Sequence, residues 1–282
     1  MVFEQSIDVA VKLKFQRILF SLIVLIWASV MLYFFTTGRI GKYLAPDFRP
    51  LALYGGLGLA VMGLFVLLTA GESASCGHDH SEGDPHDHEA SEMHPLTSMC
   101  FMLAPLLFAV ASTKDGFSVQ ALSRKALFDA PLSNSVFLAQ DLPPLTLEEI
   151  EKTHRKNESG CYEFNLMELY FAVGDPELQK LIDGMKVETE GRLVMEKENN
   201  ESGKRRRLYR LFITCCAADA RAVPIILDFG DTTIPTLEEN AWVKVSGVVT
   251  FPVERGAAQV VLQTATCEPK EAPWEESFMR NN

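Results

Sequence analysis

The chain opens on long apolar runs and closes on alternating ones, so two kinds of structure are expected. Ile18 to Phe35 (ILFSLIVLIWASVMLYFF) carries no charge over 18 residues, and Leu51 to Ala70 (LALYGGLGLAVMGLFVLLTA) carries none over 20. At 1.5 Å per residue these runs make about 27 and 30 Å of helix, enough for a hydrocarbon core of about 30 Å. Residues 1–17 form a tail ahead of them. The first run lacks the small-residue cleavage site of a signal peptide and is read as retained. Leu96 to Ser112 is a third apolar run of 17 residues, interrupted by Pro105. It is read as a third span kinked at the proline, with an interfacial or re-entrant segment as the alternative. Gly55, Gly56, Gly58 and Gly63 leave a nearly flat strip on the second run. Either this strip receives a neighbouring helix or it reflects the general abundance of glycine in membrane helices.

After a proline-broken linker over 113–145, the pattern changes. Thr146 with Glu149 signals a capping box and a helix from Leu147 to about Arg155. His154 on it is read as a surface residue. Asn165 is placed as the cap of a second helix, Leu166 to Ala172, and Asp175-Pro176 as the start of a third. Period-two alternation then predicts five strands: Met185–Met195, Leu208–Cys215, Val223–Phe229, Trp242–Phe251 and Gln259–Thr266. Gly191 and Gly247 fall inside strands, where a bulge or sharp bend is expected. The fold class is therefore α+β: two to three N-terminal transmembrane helices, then a mainly-β domain over 146–282. Five strands of this length resemble an OB-like barrel with short helices before it.

Composition sharpens this picture in one place. The 282 residues carry a net charge of −11, which disfavours nucleic-acid binding driven by overall charge. Six cysteines are too few for a disulfide scaffold. The charge is concentrated in the segment from Gly71 to Pro95, GESASCGHDHSEGDPHDHEASEMHP, which holds seven acids and no Lys or Arg. Five of the six histidines lie there, His78, His80, His86, His88 and His94, with Cys76 beside them. Imidazole and thiolate suit zinc, copper or nickel, and the acids concentrate cations nearby. Gly77, Gly83 and Pro85 oppose regular structure, so a shallow, exchangeable site for a divalent transition metal is expected. A solvated acidic linker is the plainer alternative.

Two other motifs carry chemistry. Lys204 to Arg207 is a basic cluster at a hairpin tip, read as a solvated or lipid-facing turn. RLFITCCAADA, Arg210 to Ala220, places two cysteines side by side. On a regular strand their side chains oppose each other. A turn at Ala217-Ala218 would return Asp219 to Cys216, where the two could bind a metal or pin the turn. The plainer reading is a buried small side chain at Cys215 and an Asx-type turn at Asp219. Cys100, Cys161 and Cys267 stand alone.

RLFITCCAADARAVPIILDF (Arg210 to Phe229) and WVKVSGVV (Trp242 to Val249), behind N-terminal spans and a His-rich loop, resemble the YcgQ-like permease-subunit family. EAPWEESF (Glu271 to Phe278) looks like a divergent form of that family's proline-aromatic tail. The resemblance implies a multi-spanning permease partner and no catalytic residues. The expectation is a multi-pass protein of the cell membrane, an accessory and non-catalytic permease subunit whose loop binds metal. A membrane-tethered metal sensor or buffer is the alternative, and a thiol oxidoreductase using Cys215 and Cys216 a second one. Counting Lys12, Lys14 and Arg17 on one side against Arg39, Lys42, Arg49, Lys114, Arg124 and Lys125 on the other places the C-terminal domain in the cytoplasm.

Overall fold

The computed structural model describes residues 2–70, 95–112, 122, 125, 127, 146–197, 199–254 and 256–279. The chain divides into two compact units, Met1–Asp115 and Gly116–Asn282.

In the first unit, helix α1 spans Val2–Thr36. The tail expected ahead of the first span is thus helical too, and the 35-residue helix is about 52 Å long. Gly38, at φ 72°, ends this stretch. Two short 3-10 turns, Arg39–Lys42 and Pro46–Phe48, lead into α2, Arg49–Thr69. The Arg49 guanidinium donates to the carbonyls of Leu44 and Gly41, at 3.1 and 3.4 Å, and so fixes the connection. Helix α3 spans Pro95–Ser112 with Pro105 inside it. Lys14–Thr36 and Pro46–Thr69 are long and apolar enough to cross a membrane; the apolar stretch of α3, Thr97–Leu107, is shorter.

α1 and α2 pack antiparallel, and the glycine strip explains how. The Ser21 hydroxyl donates to the Gly63 carbonyl at 2.7 Å. A Cβ on Gly63 would lie 2.9 Å from Leu25, and one on Gly56 would lie 3.1 Å from Leu32. Gly58 has nothing within 4 Å. Only part of the strip therefore receives a neighbour, and that neighbour is α1 itself. Gly63→Leu is expected to cost about 1–3 kcal/mol by overpacking, whereas Gly58→Leu should leave stability unchanged. Thermal unfolding of both variants in mild detergent, followed by circular dichroism, checks the contrast.

In the second unit, α4 (Leu147–Thr153) and α5 (Leu166–Phe171) each begin with a complete capping box, Thr146 with Glu149 and Asn165 with Glu168. The Asp175 carboxylate caps α6, Pro176–Ile182. The strands are β1 (Tyr162–Glu163), β2 (Lys186–Met195), β3 (Arg205–Ile213), β4 (Arg221–Asp228), β5 (Trp242–Thr250), β6 (Val253–Glu254), β7 (Ala257–Ala258), β8 (Val261–Pro269) and β9 (Phe278–Met279). Seven of them form one sheet in the order β1-β2-β5-β8-β4-β3-β9, and β6 pairs with β7 separately. β2 also pairs with β3, antiparallel, and β4 runs parallel to β8. All five predicted strands are present; Met195 and Trp242 end and begin their strands as expected, and the other ends shift by one to three residues.

Alternation buries one face of each long strand. Val187, Leu193, Leu208, Ile225, Leu227, Val243, Val245 and Leu262 meet Ile150, Leu169 and Ile182 from the helices in one core. The two in-strand glycines sit where backbones approach closely. A Cβ on Gly191 would lie 2.8 Å from the Tyr209 carbonyl oxygen, and one on Gly247 would lie 2.1 Å from that of Gln263. The β5–β8 register shifts at Ser246/Gly247, so the expected irregularity is found at Gly247, whereas the β2–β5 register runs unbroken through Gly191.

Three residues differ from their sequence reading. The His154 side chain is only 8% exposed. It stacks on Phe164 with ring centroids 4.3 Å apart, and its Nε2 lies 3.3 Å from a Glu168 carboxylate oxygen. The helix ends at Thr153, and the extended backbone of His154 just after it (φ −97°, ψ 124°) turns the ring inward instead of leaving it on a helix surface. Within the 113–145 segment, Leu122 and Leu127 are fully buried against Val194, Tyr209 and Ala222. Both leucines precede Pro131, and two apolar residues five apart set no period from which burial could be read.

Candidate functional site

The densest set of metal-type donors among the described residues lies just past β3. The strand ends at Ile213, two residues before the first cysteine. The strict alternation expected through Cys215 therefore does not apply. The chain instead folds back, with the Asp219 amide donating to the Cys216 carbonyl at 3.0 Å. One Asp219 oxygen accepts from the Thr214 amide at 3.1 Å and the other from the Cys215 amide at 2.7 Å. This is the side-chain-to-backbone bonding that small acids favour in turns. It brings Cys215 Sγ within 3.7 Å of Cys216 Sγ. One donor atom each from Cys215, Cys216 and Asp219 lie within 4.8 Å of one another. The pairing of Cys216 with Asp219 anticipated from sequence is thus joined by Cys215, and all three side chains are half-buried.

Electrostatics follow from that geometry. Hydrogen bonding to Asp219, then to Cys216, pushes the Cys215 thiol up to about 11. Partial burial acts to raise the Asp219 carboxyl. The hydrogen bonds from the Cys215 thiol and the nearby amides outweigh it and hold Asp219 below the ordinary carboxylate value. Elsewhere, burial pushes the Cys267 thiol up to about 11.

Two supports hold the turn. The Lys125 ammonium donates to the carbonyls of Ala217, Ala218 and Ala220, at 3.0, 3.3 and 3.1 Å. On the other side, β9 pairs parallel with the end of β3, Phe212 with Phe278 and Ile213 with Met279. The strap leading into β9 is the EAPWEESF segment. Arg192 grips it with two bonds to the Glu276 carboxylate, 2.6 and 2.8 Å. Arg210 donates to the Glu276 carbonyl at 2.9 Å, with its guanidinium 3.9 Å from the Phe278 ring centroid and 5.3 Å from that of Trp242. Burial lowers the Arg210 pKa, with Glu190 and Glu276 opposing. Sequence reasoning missed Lys125 and the strap. The small residues Ala217 and Ala218 ahead of an aspartate were the available sign that the strand stops early.

The other sequence candidates are placed differently. The basic cluster is not an open cationic patch. Arg205 pairs with Glu254 at 2.9 Å and Asp228 at 3.4 Å, and Arg207 is buried against Glu196. These two arginines lie at the start of β3, each matched by an acid, while Arg206 between them donates to the carbonyls of Gly203 and Arg205. Cys76, His78, His80, His86, His88 and His94 lie outside the described residues.

Residues 19–121 match the DUF1980 N-terminal domain, and residues 177–275 match the DUF1980 C-terminal domain. The chain carries both DUF1980 domains. The N-terminal match covers α2, α3 and the second half of α1 together with the His-rich segment. The C-terminal match covers the five long strands and the Cys-Cys-Asp turn. Neither description assigns an activity or a partner. Comparison with the curated proteins gives no match.

Proposed function

We propose that this DUF1980 protein is a non-catalytic accessory subunit of a membrane permease complex, as its resemblance to the YcgQ-like permease-subunit family implies. The observation that carries this reading is the outer surface of the helical unit. Leu51, Tyr54, Leu57, Val61, Leu64, Phe65 and Leu68 on α2 all face outward, Leu68 at 81% exposure. Water would not tolerate that surface, but a bilayer or a partner's helices would. Two spans, or three with α3, are few for a transport path, and the uncharged runs offer no intramembrane charge of the kind pathways use. On this reading the protein is multi-pass, the β unit faces the cytoplasm by the Lys and Arg count, and the loop over 71–95 gathers a divalent transition metal.

The β unit is read as a closed OB-like barrel. The pairings β2–β5–β8–β4–β3 return to β2, and the β4–β8 pair is parallel, which supports that reading. Nucleic acid is not its ligand on this account, since Arg205 and Arg207 are already neutralised. A catalytic thiol would need a depressed pKa, and Cys215 is shifted the other way. A membrane-tethered metal buffer is the second reading, favoured by the five histidines clustered in the loop. Affinity purification of the full chain from membranes in mild detergent tests the proposal. A multi-spanning protein should co-elute in fixed ratio; recovery of the chain alone, or only with itself, refutes it and leaves the buffer.

A further inference from the structure

We propose that Cys215, Cys216 and Asp219 form a binding site for one tetrahedral thiophilic metal ion of the zinc(II) class. The site lies in the β unit and is separate from the histidine-rich segment. It does not depend on a permease partner.

The sulfur separation, held by the hydrogen bond from the Cys215 thiol to Cys216 Sγ, suits a tetrahedral ion better than a linear one. Two thiolates at about 2.3 Å from a tetrahedral centre stand about 3.8 Å apart, whereas a linear two-thiolate site would put them about 4.6 Å apart. The observed 3.7 Å fits the tetrahedral edge. A disulfide requires about 2.05 Å, and both thiols are free. The carboxylate of Asp219 supplies the third donor. Each of its oxygens accepts one amide N–H, and a carboxylate oxygen has a further lone pair to offer.

Among the described residues the two thiols are not part of the apolar packing, and their contacts are the hydrogen bonds within the turn. Cys161 is buried and Cys267 packs against the core, while Cys215 and Cys216 belong to neither apolar cluster. The turn around them is fixed before any ion arrives. Asp219 binds its own backbone, Lys125 ties three carbonyls, and β9 braces the strand end. Preorganisation of this kind lowers the cost of binding. Charge is also matched. Two thiolates and a carboxylate around a divalent ion leave one negative charge, and the Lys125 ammonium sits on the same turn. Three protein donors leave a fourth position for water or an incoming ligand, as in sites that exchange or present their metal. Half-buried side chains give the ion access.

The test uses the full-length chain in mild detergent, with zinc chloride in molar excess over all six histidines. N-ethylmaleimide is added with and without zinc, and each cysteine is followed separately by mass spectrometry of the digest. Zinc at about ten times its dissociation constant should slow alkylation of Cys215 and Cys216 about ten-fold. Cys267 and Cys161 should be unaffected. Cys216→Ser should abolish the protection of Cys215, and Asp219→Asn should weaken it. Equal alkylation of Cys215 and Cys216 with and without zinc overturns the site, as does protection confined to Cys76 or spread evenly over all cysteines. The wild-type measurement decides even if a variant misfolds. It leaves the co-purification result untouched, so each reading fails on its own evidence.

Discussion

Gly247→Ala is expected to unfold the β unit. The new methyl would fall 2.1 Å from the Gln263 carbonyl oxygen and 2.9 Å from its carbon, with Leu262 Cγ at 3.1 Å. Both closest atoms are backbone, so no rotamer change relieves the overlap. The strands would have to part at the point where the β5–β8 register already shifts. A loss of about 4 kcal/mol or more is expected, from a total stability of about 5–15 kcal/mol. Gly174→Ala, with nothing within 4 Å and no positive φ, is the matched control and should stay within about 0.5 kcal/mol. Urea titration followed by near-ultraviolet circular dichroism separates them. Equal midpoints would mean that β5 and β8 do not approach in this register.

The second large effect concerns the buried ion pair at the start of β3. Arg207 Nε lies 2.5 Å from Glu196 Oε2, with the two side chains 7% and 1% exposed. Arg207 also donates to the Leu127 carbonyl at 2.5 Å. Glu196→Leu takes the Glu196 carboxylate away from a guanidinium inside the protein and should cost about 3–5 kcal/mol. Adding Arg207→Met removes the guanidinium and should recover much of that loss, because an apolar pair of similar volume replaces an ionic one. A double-mutant cycle by urea unfolding measures the recovery. Additive losses would show that the pair is not energetically coupled. The cycle has a local readout as well. Releasing the Leu127 carbonyl should loosen the Leu122–Leu127 anchor and speed proteolysis there.

Much of this architecture was legible from one chain of letters, and the failures have physical causes. Uncharged runs marked α1 and α2 because lipid-length helices tolerate little else. Thr146 with Glu149, and Asn165 alone, marked helix starts because those side chains satisfy first-turn amides; Glu168 as the second half of the Asn165 box came only from the structure. The five long strands showed themselves by alternation. β1 and β9 did not, since two residues hold no period. Arg205 and Arg207 looked like part of a polar tip because their acids, Glu254 and Asp228 for the first and Glu196 for the second, are far away in sequence or across a turn. The Cys-Cys-Asp turn was half visible. Asp219 was expected to return, but the strand was carried two residues too far. That error set the two thiols on opposite faces when they lie together.

The parallel pairing of β4 with β8 bears on how the β unit is made. β8 lies between β5 and β4, so no run of simple hairpins can complete the sheet. Assembly must wait for a late segment to slot between two earlier ones, which is high-contact-order folding and slower than zipping helices together. Until β8 arrives, β4 and β5 each present an open edge to solvent and to other nascent chains. Slower synthesis or a lower growth temperature should therefore improve soluble yield of the β unit, whatever it eventually binds.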